Sequence, residues 1–233
     1  MKDKILVICP THGRPIRAFQ AYESWKKTNQ GFSDFMLAID ETTDQIEAYS
    51  TMIKNTDAGM AIQYCSKGRR GMVDCFNFAA CSWAKSYKYI FFMGDDHQFR
   101  TEGWDKIMFE KLEEQGGGYA YGNDLLQGAN IPTACAIDSR IIRTLGYACL
   151  PTLAHLYVDN YWLSLGRAIG KISYLSDVII EHMHWANGKA VKDENYDAID
   201  APEIANSDHA IYHEWLTNGL SKEVELLKTV YEA

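Results

Sequence analysis

The chain has 233 residues, of which 47% are hydrophobic and 23% are charged, a composition typical of a globular protein with material for one sizeable core. Its net charge of −8 argues against a protein that grips nucleic acid over a large basic surface, although a local basic patch is compatible with it. No apolar run approaches the length of a membrane-spanning helix, so we expect a protein without a membrane span.

The six cysteines are scattered along the chain, and no C-x-x-C pair occurs among them. Several lie in apolar runs, so we expect buried free thiols in a reducing cytoplasm. The apolar run at residues 4–10 is too short for the core of a signal peptide and predicts a first strand instead.

In the first hundred residues, short apolar runs alternate with amphipathic stretches. Strands are predicted for residues 4–10, 34–40, 60–65 and 88–96, and helices for 17–28, 43–54 and 71–86. This alternation predicts an α/β fold with a mostly parallel central sheet flanked by helices. Ligands of such sheets bind beyond the carboxyl ends of the strands, and a polar cluster follows each strand there: Thr11–Arg14, Asp40, Lys67–Arg70 and Asp95–His97.

The second half of the sequence is less regular. Its predicted elements are helices at 103–115 and 158–170, a strand and turn at 118–124, a strand followed by a helix at 133–146, one or two strands at 171–185, a mobile polar loop at 190–208 and a final helix after Gly219. Repeats, low-complexity tracts and linkers are missing from the sequence, so residues 1–233 are expected to form a single domain.

Two acidic residues and a histidine follow the fourth predicted strand. Asp95, Asp96 and His97 come directly after an apolar run that ends at Gly94. Carboxylate oxygens bind hard divalent cations such as Mg²⁺, and Mn²⁺ also accepts imidazole nitrogen. Such an ion bridges the phosphates of a nucleotide and neutralises a leaving diphosphate. The alternative is that the two aspartates only cap a turn.

A second cluster contains His182 and His184, which alternate near the end of a predicted strand, so that both can face the same side. A solvated surface pair is the alternative. Beside the incomplete set of ligands at Asp95–His97, at least one of the two histidines is expected to bind the metal.

Two further turns offer groups to a nucleotide. Thr11 and Arg14 follow the first strand in a turn without the glycine pattern of dinucleotide-binding folds or of P-loops. Arg69 and Arg70 lie in a basic loop before a helix, where they meet a diphosphate or are simply solvated. Asp159 stands near the start of an aromatic helix and is either a helix cap or a general base.

The order of several short stretches resembles that in the GT-A fold nucleotide-sugar glycosyltransferases. These stretches are "VICPTHGRP", "GRRGMVDCFN", "FFMGDDH", "VDNYW" and "IIEHMH", together with the strand-end Asp40. The resemblance covers residues 4–190 and is greatest to the compact family-two-like enzymes, including those of bacteriophages. It implies a nucleotide-binding half at residues 1–100 and an acceptor-side half at 101–233.

The resemblance also implies roles for residues that would hold the nucleotide. Pro10, Thr11 and Arg14 match the first nucleotide-contacting turn, and Asp40 matches the carboxylate that reads the base. The family places its third-strand loop and the following helix near the nucleotide and diphosphate, and the matching residues are Arg69, Arg70 and Asn77.

The metal site and the base follow from the same resemblance. The family's D-x-D metal motif matches "DDH", in which Asp95 faces the nucleotide and Asp96 and His97 face Mn²⁺ or Mg²⁺. His182 or His184 matches a late histidine that completes the metal site in some relatives. Asp159 matches the aspartate of an E-D pair, the catalytic base of inverting members. Two positions depart from the pattern: His97 replaces an aspartate, so the resemblance leaves the ligating atoms open, and Val158 replaces the glutamate.

The implied reaction is a metal-dependent, inverting transfer of a sugar from a nucleotide-diphosphate donor, a UDP-sugar in preference, to an acceptor hydroxyl. A glycan or a modified phage DNA base is the expected acceptor, shaped by the loops around 119–133 and 189–208. Aromatics that could stack on it are Tyr119, Tyr121, Trp162 and Trp185, although core positions are the more frequent place for such residues. Two alternatives stay open, a non-catalytic nucleotide-sugar-binding module and a sugar-nucleotide pyrophosphorylase. The second of these should open with a glycine-rich loop and a catalytic lysine, which "PTHGRP" does not supply.

Overall fold

The structure, a computed structural model, describes residues 1–54, 60–65 and 71–232. The predicted basic loop with Arg69 and Arg70 lies outside the described residues. The strands are β1 (Lys2–Thr11), β2 (Ser33–Asp40), β3 (Met60–Cys65), β4 (Tyr87–Phe92), β5 (His97–Phe99), β6 (Tyr119–Asn123), β7 (Cys135–Asp138) and β8 (Ile172–His182). The helices are α1 (Pro15–Thr28), α2 (Ile46–Lys54), α3 (Gly71–Trp83), α4 (Trp104–Glu114), α5 (Ser139–Leu145), α6 (Val158–Ala168), α7 (Glu194–Ile199), α8 (Pro202–Asn218) and α9 (Leu220–Tyr231), with a 3-10 turn at Trp185–Asn187.

The described strands form one eight-stranded sheet in the order β3-β2-β1-β4-β7-β6-β8-β5. Parallel pairs join β1 to β2 and β4, β2 to β3, and β6 to β8. Antiparallel pairs join β7 to β4 and β6, and β5 to β8. The prediction of an α/β fold with a mostly parallel sheet is therefore confirmed.

Strand β1 is buried on both faces of the sheet, which explains its unbroken apolar sequence. Ile5 and Val7 face a core that also contains Trp104 of α4, whereas Leu6 and Ile8 face a core on the opposite side. Because successive strand residues alternate between faces, the short run at 4–10 contributes to both layers. The carboxyl ends of the parallel strands then remain free to build a site.

Three expectations need correction. The fourth strand ends at Phe92 and not at residue 96, because residues 95 and 96 form a turn before β5. Residues 190–208, predicted as a mobile polar loop, form α7 and the first part of α8. Polar composition was misleading there, since the Asp193 side chain caps α7 by accepting the backbone N–H of Tyr196 at 3.3 Å. Five cysteine thiols are buried as expected, but Cys81 is exposed.

Candidate functional site

A cavity of about 880 Å³ lies at the carboxyl ends of β1 and β2, and residues of α6 and α7 also line it. Its volume is in the range of small-molecule sites in proteins. The predicted site residues that line it are Pro10, Thr11, Arg14, Asp40, Asp95, Asp96, His97, Asp159, His182 and His184. Residues separated by as many as 174 positions in sequence therefore meet around one space, as expected for an α/β sheet.

The first wall of the cavity is a hydrogen-bonded chain that starts at the turn after β1. The backbone N–H of Arg14 donates to the Tyr49 hydroxyl at 3.0 Å, and Thr11 Oγ1 lies 2.7 Å from that hydroxyl. Thr11 Oγ1 in turn donates to Asp95 Oδ2 at 2.7 Å, and Arg14 Nη1 lies 3.3 Å from Asp95 Oδ1. Asp95 is thus held by its neighbours and is buried at 7% exposure. Burial and the charge of Asp96 raise its pKa to about 6.

Gly94 is required by the turn that carries the acidic pair. A Cβ at this position would lie 2.6 Å from Asp96 Oδ1 and 3.1 Å from His97 Nδ1. Both side chains therefore lie over the bare backbone of the glycine, and a side chain here would have to displace the Asp96 carboxylate. The G-D-D-H sequence is a compact turn that presents two potential ligands to one point.

The two histidines of the candidate metal centre are brought together by strand register. His97 on β5 and His182 on β8 are directly opposite partners in an antiparallel ladder. Side chains at such positions emerge on the same face, and the two rings stack with centroids 4.0 Å apart and planes 20° apart. Asp96 lies beside both rings, with Oδ1 3.1 Å from His97 Nδ1 and Oδ2 3.3 Å from His182 Nε2.

These three residues fit a metal ion. One potential ligand atom from each of Asp96, His97 and His182 lies within 4.8 Å of the others. His97 is 2% exposed, yet its Nδ1 has no hydrogen-bond partner within the described part of the chain. A buried nitrogen beside a carboxylate, without a hydrogen bond of its own, is suited to hold a cation. Two imidazoles favour Mn²⁺ over Mg²⁺, which prefers oxygen.

The surrounding charges set the state of His182 when the metal is absent. Burial lowers the pKa of His182, but the carboxylates of Asp124 and Asp96 outweigh it and raise the pKa to about 9. Metal binding therefore requires the loss of a proton from this ring. His184 is placed differently: its Nδ1 accepts the backbone N–H of Ala186 at 3.1 Å and caps the 3-10 turn, and it lies outside the three-residue cluster.

Asp159 lies in the first turn of α6, where its carboxylate faces the cavity rather than capping the helix. Burial raises its pKa to about 7, against the lowering effect of the His182 charge. The chain enters α6 through Tyr157, which has a left-handed φ of 64°. Asp208 of α8 holds the preceding loop by accepting the backbone N–H groups of Ala154, His155 and Leu156 at 2.8–2.9 Å. A carboxylate poised near neutral pH beside a cation site is a candidate general base.

The remaining predicted residues are divided between the cavity and the core. Asp40 lines the cavity and accepts hydrogen bonds from the backbone N–H and Oγ1 of Thr42. Asn77 lies outside the cavity lining, and its side chain instead bonds the backbone of Ala148 and Cys149 at 2.8 Å. The aromatics Tyr119, Tyr121 and Trp162 are core residues, and Trp185 packs beneath the Lys192 ammonium group.

Helix α7 and the residue before it contact Arg14 and Asp96, which were predicted from the sequence to bind the nucleotide and the metal. Asp193, just before α7, accepts from Arg14 Nε at 2.9 Å and from Nη2 at 2.5 Å. The guanidinium carbon of Arg14 lies 4.3 Å from the ring centroid of Tyr196. The Tyr196 hydroxyl donates to Asp96 Oδ2 at 2.7 Å. The segment thus lies against both the cation of the first turn and the carboxylate of the candidate metal centre.

Several residues of the site were missed in the sequence. Tyr49 gave no sequence signal, because a tyrosine in an amphipathic helix is usually core. Asp193 and Tyr196 lay in the predicted loop, where an aspartate just before a helix-compatible stretch was a usable capping signal. Asp124 follows β6 in the way that Asp40 follows β2, so its position at a strand end was a signal for it.

The sequence matches no protein-family model and no curated protein. Solved structures with similar folds include TarS from S. aureus, residues 1–349 in complex with UDP-GlcNAc, which is 16% identical with a TM-score of 0.59 over 97% of this chain and 77% of that chain. In another TarS crystal structure, with 14% identity and a TM-score of 0.60, the match covers 76% of this chain and only 36% of that one, so this chain spans about a third of its length.

Two further structures extend the comparison. The mannosyltransferase PcManGT from Pyrobaculum calidifontis, in complex with GDP-Man and Mn²⁺, is 11% identical with a TM-score of 0.60 over 97% of this chain and 73% of that chain. A glucose-1-phosphate thymidylyltransferase from Bacillus anthracis is 10% identical with a TM-score of 0.51 over 83% of this chain and 98% of that chain. At these identities the similarity is one of fold, and the fold is that of the GT-A glycosyltransferases, as the resemblance in the sequence implied.

Proposed function

We propose that this protein is a glycosyltransferase that moves a sugar from a nucleoside-diphosphate donor to an acceptor hydroxyl, with inversion at the anomeric carbon. The observation that carries the proposal is the placement of Asp159 and the Asp96–His97–His182 cluster on one cavity. The GT-A fold supports it, since similar structures contain UDP-GlcNAc or GDP-Man with Mn²⁺. Residues 1–100 would hold the donor, and residues 101–233 would supply the base and the acceptor side.

The chemistry assigns a part to each wall of the cavity. Arg14, in the turn after β1, attracts the diphosphate, and Asp40 meets the nucleoside. Asp96, His97 and His182 would hold Mn²⁺, or less favourably Mg²⁺, which supplies positive charge to the departing diphosphate when bound. Asp159 removes the proton of the acceptor hydroxyl, whose oxygen bonds to the anomeric carbon as the bond from that carbon to the diphosphate oxygen breaks.

The donor base and the acceptor are the least constrained parts of the proposal. A UDP-sugar is favoured, and the acceptor is a glycan or a modified nucleobase such as phage DNA contains. The loops predicted to shape the acceptor side do border the cavity, through Leu126, Gln127 and Ile131 on one side and α7 on the other. In the described part of the chain, every helix is too short or too polar to cross a bilayer. Action in the cytoplasm of a bacterial or phage-infected cell belongs to the same proposal.

The test is a thermal-shift and calorimetric screen of UDP-, GDP-, CDP- and dTDP-sugars, each with Mn²⁺ and with EDTA. We expect one nucleotide class to stabilise the protein with Mn²⁺ and to lose that effect in EDTA. The Asp96→Ala variant should lose the Mn²⁺-dependent part of nucleotide binding. Equal nucleotide affinity with Mn²⁺ and with EDTA in the unmodified protein would contradict the metal assignment, and no response to any donor would contradict the proposal as a whole.

A pyrophosphorylase is the second candidate, favoured by the fold similarity to the thymidylyltransferase. Such an enzyme would release pyrophosphate from a nucleoside triphosphate and a sugar 1-phosphate. The glycosyltransferase would instead release nucleoside diphosphate from the donor. The release would be slow when the sugar is transferred to water and rapid when it is transferred to an acceptor. Assays for the two products separate the candidates, and a binding module would form neither product.

A further inference from the structure

Both imidazoles of the candidate metal centre have one nitrogen near Asp96 and the other near a second polar unit. The nitrogens near Asp96 are Nδ1 of His97, at 3.1 Å, and Nε2 of His182, at 3.3 Å. On the opposite side, His97 Nε2 lies 3.4 Å from Thr133 Oγ1, and His182 Nδ1 lies 3.9 Å from Asp124 Oδ2. Thr133 Oγ1 itself donates to Asp124 Oδ2 at 2.8 Å. Both rings therefore lie next to the same carboxylate: His97 is linked to it through Thr133, and His182 Nδ1 faces it from 3.9 Å without a hydrogen bond.

Asp124 is held rigidly in this position. Its Oδ1 accepts the backbone N–H groups of Leu126, Gln127 and Gly128 at 3.0, 2.7 and 2.8 Å. Its backbone carbonyl accepts the N–H of His182 at 2.9 Å, which ties the carboxylate to the strand that carries this ring. Leu125, between Asp124 and Leu126, has a left-handed φ of 58°. This conformation is unfavourable for a leucine, and the hydrogen bonds of the turn maintain it. Asp124 is 2% exposed, so burial and these hydrogen bonds together hold its carboxylate in place beside the two rings.

The direction of the hydrogen bonds determines which nitrogen of each ring can bind a cation. Because the Thr133 hydroxyl donates its proton to Asp124, its oxygen can only accept from an N–H on His97 Nε2, which leaves the lone pair on Nδ1, toward Asp96. A carboxylate can likewise only accept, so Asp124 favours a proton on His182 Nδ1 and a lone pair on Nε2, again toward Asp96. In metal sites such partners orient the ring and raise its affinity as a ligand.

We propose that Asp124, acting directly on His182 and through Thr133 on His97, is the positioning residue that sets both imidazole tautomers and aims both lone pairs at the cation. This inference rests on the metal-dependent function proposed above. It predicts that the distance from His182 Nδ1 to Asp124 closes to that of a hydrogen bond in the metal-bound protein. A role as turn cap alone would use only Oδ1 of Asp124 and would leave the histidines indifferent to Oδ2 and to Thr133.

The experiment compares Mn²⁺ affinity of the full chain and its variants, measured by electron paramagnetic resonance of free Mn²⁺ and by calorimetry. Asp124→Asn keeps the Oδ1 acceptor for the turn but replaces Oδ2 with an N–H₂ donor. Thr133→Val removes the relay to His97, and Thr133→Ser retains it. Asp200→Asn is the control, because Asp200 lines the same cavity but pairs with Lys192 at 2.8 Å. Thermal unfolding in EDTA reports on folding independently of metal.

We expect Mn²⁺ affinity to fall 10- to 100-fold in Asp124→Asn and to a smaller extent in Thr133→Val, with Thr133→Ser and Asp200→Asn within twofold of the unmodified protein. The Mn²⁺ spectrum of the bound state should also change in the first two variants. Unaltered affinity in both of them, in a protein that does bind Mn²⁺, would overturn this inference and leave the proposed function intact. An unmodified protein that binds neither Mn²⁺ nor Mg²⁺, with or without nucleotide, would overturn the metal assignment and this inference together.

Discussion

At the residue scale, the adjacent carboxylates Asp95 and Asp96 differ in their surroundings, and their pKa values are displaced in opposite directions. Burial and the charge of Asp96 raise the pKa of Asp95 to about 6. Burial acts on Asp96 too, but the imidazoles of His182 and His97 beside it outweigh burial and hold its pKa well below the usual range. Asp96 is therefore the member of the pair that stays ionised and available to a cation.

Replacement of Asp159 by asparagine is expected to lower activity and to raise stability at pH 8. Asp159→Asn should lower the rate of transfer by about 10²- to 10⁴-fold, because the general base is lost, while donor affinity stays within about twofold. The native pKa of Asp159 is raised, so the native state binds more protons than the unfolded state between about pH 4 and 7, and stability falls as the pH rises through that window.

The uncharged asparagine escapes this penalty, so at pH 8 the variant should melt a few degrees higher than the unmodified protein. Transfer assays, donor calorimetry and thermal unfolding at pH 8 check the three parts. Near-normal turnover in Asp159→Asn would remove this residue from the role of base.

The pH dependence of transfer follows from the same carboxyl group. With a pKa raised to about 7, Asp159 is protonated and inactive as a base in acid, so kcat/KM should rise about tenfold per pH unit up to a plateau. The midpoint is expected at or somewhat below pH 7, since positive charge in the cavity lowers this pKa. Rates measured from pH 5 to 9 at constant ionic strength and saturating Mn²⁺ provide the check. A flat profile between pH 5.5 and 7.5 would contradict a base with a raised pKa.

At the scale of single elements, α7 and the residue before it contact Arg14 and Asp96, the groups that the proposed function assigns to the nucleotide and the metal. Asp193 makes two hydrogen bonds to the Arg14 guanidinium, the geometry with which arginine also binds phosphate. Arg14 lies in the turn proposed to meet the diphosphate, so a donor has to replace this carboxylate. Through Asp193 and Tyr196, the C-terminal part of the chain thus contacts residues that line the cavity.

Removal of this competitor should strengthen nucleotide binding. We expect Asp193→Ala to raise the affinity for the nucleoside diphosphate by about 3- to 10-fold, because Arg14 loses a partially buried counter-ion. Asp197→Ala is a matched control on α7, since Asp197 is exposed and pairs only with Lys192 among the ion pairs of the described residues. Calorimetry with the preferred nucleotide measures both. A loss of affinity in Asp193→Ala would instead show that Asp193 holds Arg14 in its binding position.

At the scale of the whole molecule, the last helix is built into the core through one buried carboxylate. Glu223 of α9 is 6% exposed and accepts hydrogen bonds from Tyr147, from Tyr161 of α6 and from Trp215 of α8, at 2.6, 2.9 and 2.8 Å. The loop with Tyr147, helix α6, which also contains the candidate base, and helix α8 are therefore joined to α9 at one carboxylate. Tyr161 and Trp215 belong to the same core as Phe76 of α3 and Trp162 of α6.

This network predicts a large effect on stability from a residue remote from the cavity. Glu223→Ala should lower the free energy of unfolding by about 3 kcal/mol, because two buried donors and the half-buried Tyr147 hydroxyl lose their acceptor. For a chain of this size the corresponding fall in Tm is roughly 6–12 °C. Glu225→Ala, on the same helix and 71% exposed, should have almost no effect. Thermal unfolding by circular dichroism measures both, and equal Tm values for the two variants would contradict a structural role for Glu223.

The residue pattern predicted the strands and helices of the first half of the fold and the main polar groups that line the cavity. Unbroken apolar strands such as β1 predicted a sheet buried on both faces, and parallel strands place their carboxyl-end residues on one edge regardless of detail. That is why residue patterns alone placed Thr11, Asp40 and Asp95 at one edge of the sheet, whereas Asp159 was assigned to the site only through the family resemblance. The loop prediction at 190–208 failed because capping and inward packing of a few residues outweighed the polar composition there.

Only the tertiary structure decided which histidines meet. His97 and His182 are 85 residues apart, and the register of β5 against β8 alone makes them opposite partners, whereas a shift of one residue would turn one ring to the other face. The same register directs His184 to a 3-10 turn instead. Long-range pairing of this kind is set by the packing of the whole sheet, which local residue patterns do not encode. The sequence and the family resemblance proposed Asp96, His97 and one of two late histidines as ligands, but the choice of His182 and the position of Asp124 behind it come from the structure.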